Sequence, residues 1–118
     1  MTEDWGAILV VDDDAEMREL VHDVLKDRGH QVSTAGSGQE ALELLAEQDC
    51  AVVVTDLRMK GMQGTELLAE IRRLYPDIGV ILMTGFGSVD TAVEAMKRGA
   101  SDYLTKPVDI NQLRMLVR

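Results

Sequence analysis

Short β-branched apolar runs alternate along the chain with longer segments whose apolar residues recur at helical spacing. The first run, Ala7-Ile8-Leu9-Val10-Val11, is apolar without a break, the pattern of a strand buried on both faces. Asp12, Asp13 and Asp14 follow, and then Met17, Leu20, Val21, Val24 and Leu25 predict a helix that Gly29 stops. Gln31-Val32-Ser33-Thr34-Ala35 predicts a second, more exposed strand. Ser37, with Glu40 three residues on, carries the signature of a capping box, and the helix behind it holds Ala41, Leu42, Leu44 and Leu45. Ala51 to Thr55 predicts a third strand, ending at Asp56. A loop with Gly61 and Gly64 leads into a helix around Leu67, Leu68, Ile71 and Leu74, which closes before Pro76. The fourth strand is Gly79 to Thr84. Gly85-Phe86-Gly87 is a flexible turn, Ser88 or Asp90 opens a helix from Thr91 to Arg98, and Gly99 ends it. Asp102 to Thr105 is a short fifth strand, Pro107 breaks the chain, and a last helix begins over 110–118.

Five β–α units in succession predict an α/β fold, a doubly wound parallel sheet with helices on both faces. The 118 residues suit one domain, 1–118. They show no repeat, low-complexity tract or linker. The last helix has only about two turns before the chain stops, so the expectation is the N-terminal domain of a longer protein. Hydrophobic residues at 46% and charged residues at 28% make a soluble globular mix rather than a disordered one. The 21 Asp+Glu against 12 Lys+Arg leave a net charge of -9, which argues against direct binding to nucleic acid or to an anionic membrane surface. The single Cys50 excludes an internal disulfide and a multi-cysteine zinc site. No apolar run approaches the roughly 20 residues of a membrane span. The acidic start Met1-Thr2-Glu3-Asp4 lacks the basic residues and apolar stretch of a signal peptide, so a cytoplasmic location is expected.

Ligands of a doubly wound sheet sit at the carboxyl ends of its strands. The first strand ends in Asp12 and Asp13, the third in Asp56 and the fourth in Thr84, and Lys106 follows the fifth. Three carboxylates, a hydroxyl and an ammonium group are therefore expected on one rim. Clustered carboxylates repel, so the set calls for a hard divalent cation, and oxygen ligands in a partly open shell suit Mg²⁺. A carboxylate beside that metal can act as nucleophile and form an acyl phosphate. Mg²⁺ and Lys106 would neutralise charge on the phosphoryl oxygens, and Thr84 could hydrogen-bond one of them afterwards. Asp14 reads only as a helix cap.

Taken together, Val10-Val11-Asp12-Asp13-Asp14, Thr55-Asp56-Leu57-Arg58-Met59 with Gly64, Met83-Thr84-Gly85 and Asp102-Tyr103-Leu104-Thr105-Lys106-Pro107 resemble the receiver domain of two-component response regulators over essentially the whole chain. The resemblance implies a flavodoxin-like sheet of strand order 2-1-3-4-5 with five helices. It implies Asp56 as the phosphoacceptor that takes phosphoryl from a histidine kinase. Asp12, Asp13, Asp56 and the backbone carbonyl of Arg58 become the Mg²⁺ ligands. Lys106 pairs with the phosphoryl group, Thr84 and Tyr103 form a switch pair, and the Lys106-Pro107 peptide is cis. Gly85 and Gly87 would let the switch loop deform. A domain of this kind is not a classical enzyme; its chemistry is its own phosphorylation and slow dephosphorylation. The run from Thr84 to Lys97 further resembles receivers of ATPase activators of the nitrogen-type alternative sigma factor. That implies AAA+ and DNA-binding output domains, and a phosphorylation-dependent homodimer is a further expectation. Receivers of hybrid histidine kinases or phosphorelays share the same wording. An aspartyl-phosphate phosphatase would need a second acid just after the nucleophile, where Leu57 and Arg58 stand. A flavodoxin-like anion-binding module would need a Gly/Ser/Thr-rich loop where the three aspartates stand.

One position departs from the receiver pattern. Proline usually follows the Met of the loop after the phosphoacceptor, and here that position is Lys60. The loss of proline is expected to loosen the loop and to bring a cation near the site; drift at an exposed position is the simpler account. His22 and His30 read as structural or surface residues, Trp5 as a cover for one end of the sheet, and Met59, Met62, Met83 and Met96 as packing.

Overall fold

The computed structural model describes residues 7–27, 29–85 and 89–105, with the backbone alone at 89–92 and 105. Its elements follow in the order β1 (Ala7–Val11), α1 (Ala15–Asp27), β2 (Gln31–Ala35), α2 (Gly38–Glu47), β3 (Val52–Asp56), α3 (Gly64–Leu74), β4 (Gly79–Thr84), α4 (Val89–Lys97) and β5 (Asp102–Thr105). All strand pairings are parallel, and the sheet runs β2-β1-β3-β4-β5, the expected order. Four helices lie among the described residues; the fifth, expected at 110–118, and Trp5 fall outside them.

The unbroken apolar strands are buried on both faces because successive side chains point to opposite sides of the sheet. Leu9, Val11, Val53, Val80 and Leu82 join Ala41 and Leu45 of α2, Leu67, Leu68 and Ile71 of α3, and Ala95 of α4 in one apolar layer. Ile8, Val10, Val54, Ile81, Met83 and Leu104 pack with Val21 and Leu25 of α1 in the other. β2, an edge strand, is the more polar one, as its sequence requires.

The punctuation residues act where the sequence places them. Gly29 at φ 89° and Gly99 at φ 100° close α1 and α4 in the left-handed conformation. In both cases the following N–H reaches back five residues, His30 to the Leu25 carbonyl and Ala100 to the Ala95 carbonyl. Ser37 caps α2, its Oγ accepting from the Glu40 N–H at 3.1 Å. The return half of the expected box lands elsewhere: Glu40 accepts from the N–H of Gly36 rather than Ser37. β3 ends at Asp56 as expected, that residue pairing with Met83. Other bounds shift slightly: β3 begins at Val52 rather than Ala51, and α4 begins at Val89 rather than Thr91.

Three expected packing residues face outward instead. Leu20 is 49% exposed because one residue step carries it about 100° round the helix from Val21, off the buried stripe. Leu74, at the last turn of α3, opens onto a surface groove with Cys50, Tyr75 and Pro76. Met96 is 48% exposed on α4, whereas Met59 and Met83 are buried as expected.

Gly64 is the tightest junction of helix and sheet. Its N–H donates to the Leu57 carbonyl at 2.8 Å, and a Cβ added there would meet the Asp56 carbonyl and lie 2.8 Å from Leu57 Cα. Both obstacles are backbone and cannot swing aside. Gly64→Ala is expected to cost about 1–3 kcal/mol in urea unfolding. Gly36→Ala meets the tip of the Arg18 side chain at 3.1 Å, which can move, and should change stability by less than about 0.5 kcal/mol.

Candidate functional site

The register of β1 against β3 builds the site. Val11 stands opposite Thr55, so the next residues, Asp12 and Asp56, come side by side at the carboxyl edge. Asp56 in turn pairs with Met83, which brings Thr84 to the same edge one strand over. Asp12 is fully buried, Asp56 is 7% exposed and Thr84 1% exposed. Asp13 turns out to solvent. Even so, one carboxylate oxygen from each of Asp12, Asp13 and Asp56 lies within 4.8 Å of the others.

Hydrogen-bond donors hold this set in place. The Asp14 N–H donates to Asp12 Oδ1 at 2.9 Å, and Arg18 Nη1 donates to the Asp12 carbonyl at 2.8 Å. Asp14 is a cap, as read from the sequence: its Oδ1 accepts from the N–H groups of Glu16 and Met17 at the start of α1. Across the site, the 57–63 loop is bound at several points. The Leu57 N–H donates to the Met83 carbonyl at 2.7 Å, and Gln63 Nε2 donates to the Met59 carbonyl at 2.9 Å. With the Gly64–Leu57 bond, the carbonyls on either side of Arg58 are both taken by donors within the loop, which sets the orientation of the Arg58 peptide. The N–H of Lys60 donates to Asp13 Oδ2 at 3.0 Å. Tyr103, on β5, is half-buried; its hydroxyl is enclosed, with no hydrogen-bond partner among the described residues.

The sequence thus locates Asp12, Asp13, Asp56 and Thr84 on one rim, and the fold brings them there. Lys106, Pro107 and the expected cis peptide lie outside the described residues. His22 bonds its neighbour Asp23, and Cys50 sits in the groove by the ends of α2 and α3, its thiol pushed up by burial. Sequence reasoning missed Arg18, Gln63 and the Lys60 N–H. The first two carry no pattern of their own, and a backbone donor carries none at all.

The donors of the cluster are carboxylate oxygens, without imidazole or thiolate, so the arrangement fits a hard cation such as Mg²⁺ rather than a soft one. One member open to solvent leaves room for ligands from outside the chain.

The response regulator receiver domain family matches the chain over residues 8–118. The transcriptional regulatory protein ZraR of Escherichia coli (strain K12) is 46% identical over 114 residues, 97% of this chain and 26% of that protein. The response regulator protein FleR of Pseudomonas aeruginosa is 44% identical over 110 residues, 93% of this chain and 23% of that protein. The chain therefore spans about a quarter of the length of these relatives. Among solved structures, a response regulator receiver protein from Pseudomonas putida superimposes with a TM-score of 0.90 at 35% identity, covering 99% of this chain and 98% of that one.

Like charges this close oppose folding when no cation is present. Asp13→Asn removes one charge and keeps an oxygen to accept from Lys60. In chelator-treated buffer it is expected to raise the unfolding free energy by on the order of 1 kcal/mol, and high salt should shrink the gain. Parallel urea titrations of the two proteins would measure both.

Proposed function

The chain belongs to the response regulator receiver domain family and is the receiver domain of a two-component response regulator; on that premise we propose that Asp56 is its phosphoacceptor. The observation that carries the proposal is the nearly buried Asp56 carboxylate at the end of β3, with the carboxylates of Asp12 and Asp13 within 4.8 Å. A carboxylate oxygen of Asp56 attacks the phosphorus of a phosphohistidine on a histidine kinase. The P–N bond breaks as the P–O bond forms, the imidazole leaves, and Asp56 becomes an acyl phosphate. Asp12, Asp13, Asp56 and the carbonyl of Arg58 would hold Mg²⁺, which when bound neutralises the crowded carboxylates and the phosphoryl oxygens. Lys106, carried over from the family pattern, pairs with the phosphoryl group.

Thr84 and Tyr103 carry the switch. The added phosphoryl charge draws the Thr84 hydroxyl, and the shift changes the packing around Tyr103 and the face of α4 and β5. The enclosed Tyr103 hydroxyl, with no partner among the described residues, supports this reading: no hydrogen bond there has to be broken for the ring to move. The output is transcriptional, in keeping with its similarity to the transcriptional regulatory protein ZraR, about four times as long. AAA+ and DNA-binding domains attached to this receiver, at the N-terminus of a longer protein, would fit the sigma-factor-activator wording of residues 84–97. Such a regulator works in the cytoplasm and could dimerise on phosphorylation. Among the described residues no helix is long and apolar enough to cross a membrane. A receiver in a hybrid kinase or phosphorelay would use the same chemistry. The phosphatase reading has no support, since Leu57 is buried and Arg58 is not an acid.

Intact-mass spectrometry after incubation with acetyl phosphate tests the assignment. A phosphoryl-sized gain should need both Mg²⁺ and Asp56, vanishing with chelator and in Asp56→Asn. No gain in a protein that binds Mg²⁺ would defeat the phosphoacceptor role. Thr84→Ala should bind Mg²⁺ within about twofold of wild type, because the loss of one neutral hydroxyl off the metal is a small perturbation. Its phosphorylation-induced amide shifts along β5 should shrink; shifts equal to wild type would rule out the Thr84–Tyr103 coupling.

A further inference from the structure

Lys60 stands where receivers usually have proline, and proline has no backbone N–H to give. In this chain that N–H reaches Asp13 Oδ2 at 3.0 Å and ties the loop after β3 to the loop after β1. We propose that Lys60 is a positioning residue, whose backbone N–H presets the Asp13 carboxylate for the divalent cation; the inference rests on the reading of the three carboxylates as a Mg²⁺ centre. Asp12 and Asp56 are buried and have little freedom, whereas Asp13 is exposed. It is the member of the set that mutual repulsion can push out into water. The Lys60 N–H opposes that movement and fixes one rotamer.

The bond does not consume the ligand. A carboxylate has two oxygens with about four lone-pair sites, so one N–H leaves room for a metal. The three carboxylates already converge within 4.8 Å while the bond is made, so its effect is to favour binding rather than to compete with it. The donor is itself well placed. Gln63 grips the Met59 carbonyl, the other half of the peptide that bears the Lys60 N–H. Gly61, at φ 76°, turns the chain immediately afterwards, a conformation that side chains rarely adopt. The Lys60 side chain is exposed, so its ammonium group and its N–H can be tested apart.

Calorimetric Mg²⁺ titrations of the full chain separate them. Lys60→Ala keeps the N–H and should bind within about twofold of wild type. Lys60→Pro removes the N–H and should bind about three- to tenfold more weakly, the cost of ordering one free side chain at the moment of binding. Proline and alanine variants that bind alike, beside a wild type that binds, overturn the inference alone. A wild type that binds no Mg²⁺ overturns the metal reading and the inference together. Amide hydrogen exchange on the metal-free protein needs no proline variant to fold. The Lys60 amide should exchange about tenfold faster in Asp13→Ala than in wild type, and equal rates would overturn the inference.

Discussion

Everything at the functional rim depends on a parallel register that forces carboxylates together. Val11 opposite Thr55 makes Asp12 and Asp56 neighbours at the end of two strands whose cores are continuously apolar. The apolar runs cannot slip without turning their buried side chains to the wrong face, so the charges have no way to separate. Hydrophobic burial on both faces of the sheet therefore holds carboxylates close together, and that cluster fits a hard cation.

The loops around the cluster steady it with hydrogen-bond donors. Asp14 gives Asp12 an N–H, Lys60 gives Asp13 one, and Arg18 anchors the Asp12 carbonyl. Gly64 lets α3 approach the Asp56 backbone closely enough to stiffen the loop between them. Proline at position 60 was expected to be missed for its rigidity. In this chain the loop has a tether that proline cannot make, together with the Gln63 and Gly64 bonds. A loop can be held by hydrogen bonds as well as by a ring.

The same rim runs from the middle of the sheet toward one edge. Asp12 and Asp56 sit at the ends of the central strands β1 and β3, inside the sheet. Thr84 and Tyr103 lie toward the β5 side, where the sheet ends and one enclosed hydroxyl has no partner among the described residues. On the function proposed above, the phosphoacceptor lies at the centre of the sheet and the switch pair toward its edge.

The sequence by itself determined the strands, because uninterrupted runs such as Ala7 to Val11 and Gly79 to Thr84 have no stable place except a doubly covered sheet. It determined the helix ends at Gly29 and Gly99, where only glycine takes the backbone conformation cheaply. It also determined which side chains reach the rim, since Asp12, Asp13, Asp56 and Thr84 each end a strand or follow one within two residues. Helical periodicity was less informative at the margins, and Leu20, Leu74 and Met96 face outward because an apolar residue off the buried stripe or past the end of the sheet costs little. Tertiary structure alone decided the closeness of the carboxylates, the junction at Gly64 and the donors that steady Asp12 and Asp13. Those depend on backbone atoms brought together from distant parts of the chain, as with the N–H of Lys60 and the carboxylate of Asp13, and every residue but proline carries the same N–H, so no residue type announces where it will point.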